Sequence, residues 1–421
     1  MDINLHSAAD MLLELDVEPF WLGFRKVAYA IYNSSEVLLF HHPKFQSHTF
    51  HQLKWDKRFV GNTLIMYEGY PTAIVSIEGI EYMAELKSLL VHELFHGFQY
   101  LCEEKRFPDE LLGLTYPLVE ENVELRSRER QCLSHALEAS DTQIRDAHLS
   151  HFFQIRSRRK ELLGTYFTYE TRVETIEGPA YYVELKAYAE ESAQSLRAIL
   201  NPFRQELINS NAAVLHLRKS CYYSGLWMCL LLDEFSERWQ EDFSHSEDGL
   251  YEFLRSHVHP VEKSEIKEVK VSEETETTIE YVKAHRKAAF ELFEENKGFH
   301  VIIEGDLAVR SIDPQNIDAL PGRLLHHNYI KVAFGTDEFL IQQPIVSYYE
   351  TDLWQASKLY VIVEARPVIC EDKVILDGIG EIKGVHKCKE EGNIFSIARV
   401  NEIDDTSRGL YSLYEKKEEN P

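Results

Sequence analysis

Residues 88–101 read SLLVHELFHGFQYL. Met83, Leu86, Leu90, Leu94 and Leu101 recur at helical spacing, and no Pro interrupts the run. This predicts a helix with one apolar face. His92 and His96, four residues apart, project from the same face of such a helix. Two imidazoles at that spacing can bind one Zn²⁺. Glu93, turned by about 100° along the helix, can reach a water beside the metal.

Outward from this segment the pattern changes on both sides. Upstream, residues 27–32 (VAYAIY), 37–40 (VLLF), 62–67 (NTLIMY) and 72–77 (TAIVSI) read as short strands. Gly61, Gly69, Pro71 and Gly79 punctuate the later ones. Downstream, helices are expected at 118–138, 142–163, 178–200, 203–209 and 222–240, with Pro117 placed to open the first. Residues 259–297 are rich in Glu, Lys and Thr and read as a solvated connector followed by a helix at 277–296. Beyond Gly298 alternation returns, at 301–304, 329–334, 358–364 and 394–400. The expected class is α+β, in three parts. Residues 1–258 form one domain, β-rich over 1–80 and helical over 81–258. Residues 259–297 connect it to a β-rich accessory domain at 298–421. The terminal KKEENP reads as a frayed tail.

The composition narrows the function classes. Of 421 residues, 44% are hydrophobic and 12% aromatic, enough for a large core and incompatible with a disordered chain. Lys and Arg total 45 against 70 Asp and Glu, a formal charge of −25. Such a surface repels nucleic acid and anionic lipid. The six cysteines form no CxxC pair, as in a reduced cytosolic protein. The N-terminus lacks a basic, apolar leader pattern. The longest apolar stretch, GLWMCLLL at 225–232, is far short of the about 20 residues that span a bilayer. A soluble cytoplasmic protein is expected, with no nucleic-acid or membrane partner.

A zinc site needs a third protein ligand, and a catalytic one keeps a fourth position open. Glu177 lies 81 residues past His96, at the start of EGPAYYVE. As a helix-opening carboxylate it would also be stabilised by the macrodipole. Glu174 lies one turn earlier, and Glu121 and Glu124 lie nearer the motif, in ENVELRSRERQ, which reads as a solvated face. Farther on, residues 222–225 read YYSG and lead into the apolar run at 225–232.

HELFH, EGPAYYVE and YYSG, in that order after the strand TAIVSI, resemble the gluzincin (HExxH…E) zinc metallopeptidases of the aminopeptidase-like type. The resemblance covers about residues 60–240 and rests on three short motifs. It implies a zincin-like catalytic domain holding Zn²⁺ through His92, His96 and Glu177. It makes Glu93 the general base and then acid, and Tyr222 the donor to the oxyanion, with Tyr223 in reserve. The strand before the motif helix, through Thr72, Ala73 and Ile74, would be the edge that pairs with an extended substrate. The implied activity is zinc-dependent hydrolysis of peptide bonds in a peptide or protein substrate. An exopeptidase would also need a charge to grip a substrate terminus: Glu120, Glu121 or Glu174 for an amine, Arg218 for a carboxylate. The alternative is a catalytically degenerate zincin that binds or regulates through its β domain. The chain departs from the family pattern in its long spacer and in Tyr181, where some gluzincins place an Asp that holds a ligating His.

The remaining motifs are weaker. The His-rich HHPKFQSHTFH (His41, His42, His48, His51) lacks a carboxylate or Cys at metal spacing, and His326–His327 reads as packing or a turn. GIGEIKG at 378–384 lacks the Lys-Ser/Thr of a P-loop.

Overall fold

The computed structural model describes residues 3–45, 49–192, 194–258, 266, 268–314, 316–335, 337–383 and 385–399. The expected frayed tail, His48 and most of residues 259–267 lie outside the described residues. The chain divides into two compact units, Met1–Glu280 and Tyr281–Pro421.

The first unit opens with helix α1 (Leu5–Leu12), capped by Asn4, whose side chain accepts from the His6 and Ser7 amides. Five strands follow: β1 (Ala28–Tyr32), β2 (Glu36–Phe40), β3 (His51–Lys54), β4 (Thr63–Tyr67) and β5 (Tyr70–Ser76). They form one sheet in the order β3-β2-β1-β5-β4. β1 and β5 run parallel, with Ala30 opposite Ile74; the other pairs are antiparallel. Both faces of the central strands are covered. Tyr29, Ile31, Ala73 and Val75 enter the main core, while Ala30, Tyr32 and Ile74 enter a smaller cluster on the other side.

This order corrects the expectation for Thr72, Ala73 and Ile74. β5 is an interior strand, paired on one side with β1 and on the other with β4, and Thr72, Ala73 and Ile74 are buried. Both of its ladder edges are taken, so it has no main-chain groups to offer a substrate. On this side of the sheet the edge is β4.

Among the described residues ten α-helices complete the unit: α2 (Met83–Leu101), α3 (Glu110–Leu114), α4 (Glu120–Glu138), α5 (Thr142–Leu163), α6 (Thr165–Ser192), α7 (Leu196–Ile208), α8 (Ser210–Leu215), α9 (Leu217–Leu232), α10 (Trp239–Ser244) and α11 (Leu250–His257). α2 packs on β4 and β5, and its Leu86, Leu90 and Leu94 are fully buried in the main core. α4 starts at Glu120 with Val119 extended before it, so Pro117 does not open the helix; two acids occupy the first turn instead, where the dipole favours them.

α4 also departs from the solvated face expected of it. Asn122, Glu124, Arg126, Glu129 and Arg130 are buried. Arg126 and Glu129 are matched by charges from other helices, whereas Arg130 leaves Nε and Nη1 without a hydrogen bond and burial lowers its pKa to about 9. Arg126 pairs with Glu170 at 2.8 Å, and Glu129 accepts from Arg159 at 2.6 Å and Arg156 at 3.2 Å. Burial pushes the Glu170 carboxyl up, but Arg159 and Arg126 outweigh it and hold it down at about 2. Removing one partner of such a buried pair would leave an uncompensated charge, at a cost of about 3–5 kcal/mol.

Helix α12 (Glu273–Glu294) begins in the first unit and continues past the division. The second unit is otherwise β. A nine-stranded sheet runs β10-β9-β6-β12-β11-β8-β7, with β17 also beside β6 and β16 beside β17. Its strands are β6 (Phe299–Ile312), β7 (Ile317–Leu320), β8 (Arg323–His326), β9 (Ile330–Phe334), β10 (Asp337–Ile341), β11 (Ile345–Tyr349), β12 (Gln355–Val363), β16 (Val385–Glu391) and β17 (Ile394–Arg399). A three-stranded sheet adds β13 (Val368–Ile369), β14 (Lys373–Leu376) and β15 (Gly380–Lys383). The core of the second unit is built on Val301, Ile303, Val361 and Phe395. The architecture is thus α+β. Among the described residues no helix is long and apolar enough to cross a membrane. All six cysteines are free.

Candidate metal centre

α2 carries His92 and His96 on the side away from its leucine stripe. α6 brings Glu177 to them. The three donor atoms converge: His92 Nε2 and His96 Nε2 are 3.1 Å apart, and Glu177 Oε2 lies 3.5 Å from the first and 3.3 Å from the second. Among the described residues this is the one group of three His, Cys, Asp or Glu side chains close enough to share a metal ion.

Glu177 does not open its helix, as the sequence suggested. α6 begins at Thr165, after Gly164 ends α5, and Glu177 sits in its middle with Pro179 two residues on. Pro179 has no N–H for the Thr175 carbonyl, and the next carbonyl, of Ile176, accepts a 2.8 Å hydrogen bond from Gln99 Nε2. The same is true of YYSG. α9 starts at Leu217, so Tyr222 and Gly225 are internal to it. Their glycine has a different purpose. A Cβ on Gly225 would lie 2.6 Å from Gly178 Cα and 2.8 Å from the Glu174 carbonyl oxygen. α6 and α9 therefore cross backbone to backbone, one residue from Glu177.

Each donor is aimed by a partner on its other heteroatom. His92 Nδ1 meets Glu184 Oε2 at 2.8 Å, and His96 Nδ1 meets Gln99 Oε1 at 2.8 Å. Glu177 Oε1 accepts from Arg218 Nη2 at 2.9 Å. With both Nδ1 atoms donating, the two Nε2 lone pairs face each other across 3.1 Å and repel unless a cation lies between them. Glu177 Oε2 is buried and makes no hydrogen bond. Tetrahedral zinc, with bonds of about 2.0–2.1 Å, requires donors about 3.3–3.4 Å apart. The cluster meets that requirement, and its orphaned oxygen is the atom such an ion would satisfy.

The electrostatics agree. Burial opposes charge on His92, yet Glu177 and Glu184 raise its pKa well above the ordinary value. His96 is raised too, against burial, by Glu177. Burial pushes Glu177 up, but His96 and His92 hold it well below the usual carboxylate range. The pocket favours positive charge between the three side chains. Glu93, 8% exposed, has its pKa raised by burial.

Tyr222 lies beside the cluster, its ring stacked on that of His92 with centroids 6.3 Å apart, and its hydroxyl accepts from Arg218. Tyr223 turns to Tyr181, with ring centroids 5.5 Å apart. The other candidate carboxylates are engaged elsewhere. Glu174 is fully buried against Arg156 and Ser224, Glu121 holds Arg158 at 2.7 Å, and Glu124 holds Arg128, Ser272 and Thr275. Arg218 is committed to Glu110, Glu177 and Tyr222 and is not free to clamp a substrate carboxylate. His42 packs under Tyr67, its Nε2 2.9 Å from that carbonyl, and His326 is buried against Ser347.

Sequence reading passed over Glu184, Gln99 and this use of Arg218. Glu184 stands seven residues after Glu177, two helical turns along the same face. It supplies the carboxylate that Tyr181 does not. Comparison with protein-family models, with curated proteins and with solved structures returns no match.

Proposed function

We propose that the first unit is a zinc-dependent peptidase of the gluzincin kind, with His92, His96 and Glu177 as ligands. One observation carries the reading: three donor atoms converge at 3.1–3.5 Å, each aimed by a partner on its other heteroatom, with Glu177 Oε2 left without a hydrogen bond.

When bound, zinc supplies Lewis acidity, polarising the scissile carbonyl and acidifying the attacking water. Glu93 takes the proton from that water and returns it to the leaving amine. Burial raises its pKa, which brings the carboxylate nearer the strength such a proton carrier needs. Tyr222 donates its phenolic proton to the developing oxyanion. Its oxygen accepts from Arg218 and its hydroxyl hydrogen-bonds the Glu177 carboxylate, which holds the phenol at the edge of the centre. An extended substrate pairs with β4, which packs against α2 and has β5 on its other side.

The test is Glu93→Gln. Purified protein should contain one zinc per chain and cleave a peptide library, and a chelator should abolish cleavage. The variant should keep its zinc and lose activity by about 10²–10⁴-fold. Absence of stoichiometric zinc, or a fully active Glu93→Gln protein, overturns the proposal. Full zinc with no cleavage by the wild type supports the binding-module alternative.

A further inference from the structure

Three helices of the first unit meet at one guanidinium. Arg218, on α9, is 18% exposed. Its Nε lies 3.1 Å from both Glu110 oxygens, from α3. Its Nη2 donates to Glu177 Oε1 on α6 at 2.9 Å, and its Nη1 donates to the hydroxyl of Tyr222, one turn along on α9. A guanidinium is planar and rigid, so fixing one edge fixes the directions of the others. Glu110, at one edge, therefore determines where the remaining N–H groups hold Glu177 and Tyr222.

We propose that Arg218 is the positioning residue of this centre: it limits Glu177 to a single donor oxygen and orients the Tyr222 hydroxyl. The inference rests on the zinc reading above and goes beyond it. A carboxylate with two free oxygens can grip a metal through both. With Oε1 held by Arg218, only Oε2 faces the histidines. The site then offers three donors and keeps a fourth position for the reaction, as catalytic zinc requires. Donation into the Tyr222 oxygen fixes the phenol in the same way, with its hydroxyl held against the Glu177 carboxylate. One side chain thus prepares both the ligand and the oxyanion donor. His92 and His96 need no such device, because an imidazole with its Nδ1 occupied has only one nitrogen left.

The experiment compares wild type, Arg218→Met and Glu110→Gln in two measurements: zinc affinity by competition with a chelator, and the visible absorption of the Co²⁺-substituted proteins. Arg218→Met should weaken zinc binding by about 10–100-fold. It should also weaken the cobalt band, because a carboxylate released to bind through both oxygens raises the coordination number. Glu110 is 32% exposed, so Glu110→Gln should fold; it should move both readouts in the same direction by less. Wild-type affinity and spectrum in Arg218→Met overturn the proposal while leaving the zinc reading intact. If Arg218→Met loses its cooperative melting transition, Glu110→Gln decides, and an unchanged spectrum there overturns the proposal. A wild type that takes up neither zinc nor cobalt defeats both readings.

Discussion

Gln99 decides which side of His96 looks inward. Its amide nitrogen is spent on the Ile176 carbonyl, so its oxygen must be the group facing His96 Nδ1. That oxygen accepts only, which places the proton on Nδ1 and the lone pair on Nε2. Glu184 does the same for His92, but with a charge. A carboxylate behind an imidazole makes it a stronger donor than a neutral amide does, so the two ligands are unequal. Glu184→Ala should therefore cost about 10–100-fold in zinc affinity, and Glu184→Gln should recover part of the loss by restoring an acceptor. Chelator competition measures both. Equal affinities for wild type and Glu184→Ala would mean that His92 is held by its packing alone.

At the scale of elements, the decisive contact is the crossing of α6 and α9 at Gly178 and Gly225. Alanine in the middle of a helix normally gains about 1 kcal/mol over glycine. Here the sign should reverse. The added methyl would meet backbone at 2.6–2.8 Å, which no rotamer change relieves. Gly225→Ala should lose about 1–3 kcal/mol or more by overpacking and weaken zinc binding as well, since the helix that shifts carries Glu177. Urea denaturation and chelator titration of the same sample read the two effects. An alanine variant as stable as wild type would show that the helices separate without cost. This contact also explains what the sequence could and could not disclose. α2 was legible because its leucines and both histidines are local, set by spacing within one helix. The glycines of EGPAYYVE and YYSG were visible, but they read as helix starts, because nothing local shows that each is the other's neighbour. The burial of α4 was hidden for the same reason: its Arg126 finds Glu170 forty-four residues away. β5 was recognisable as a strand, yet its interior position depends on β1, which pairs with it across three intervening strands.

At the scale of the whole molecule, the two units have separate cores, and every group of the proposed centre belongs to the first. Metal binding is then a stabilising term for one unit only. A ligand that binds the folded state alone adds RT ln(1 + [L]/Kd), about 2.7 kcal/mol at a hundredfold excess over Kd. For a domain of this size that is a rise of several degrees in melting temperature. Calorimetry of the chelator-stripped chain, repeated with added zinc, should therefore resolve two transitions and move one. The moving transition should be the one followed by helical circular dichroism, since among the described residues α1 to α11 all belong to the first unit. The β-rich transition should stay in place. In His96→Ala zinc should move neither, because removing one donor leaves Glu177 and His92 without the geometry that makes the site. A zinc-dependent shift of the β-rich transition in the wild type, persisting in His96→Ala, would put the metal in the second unit and remove the physical basis for the peptidase reading.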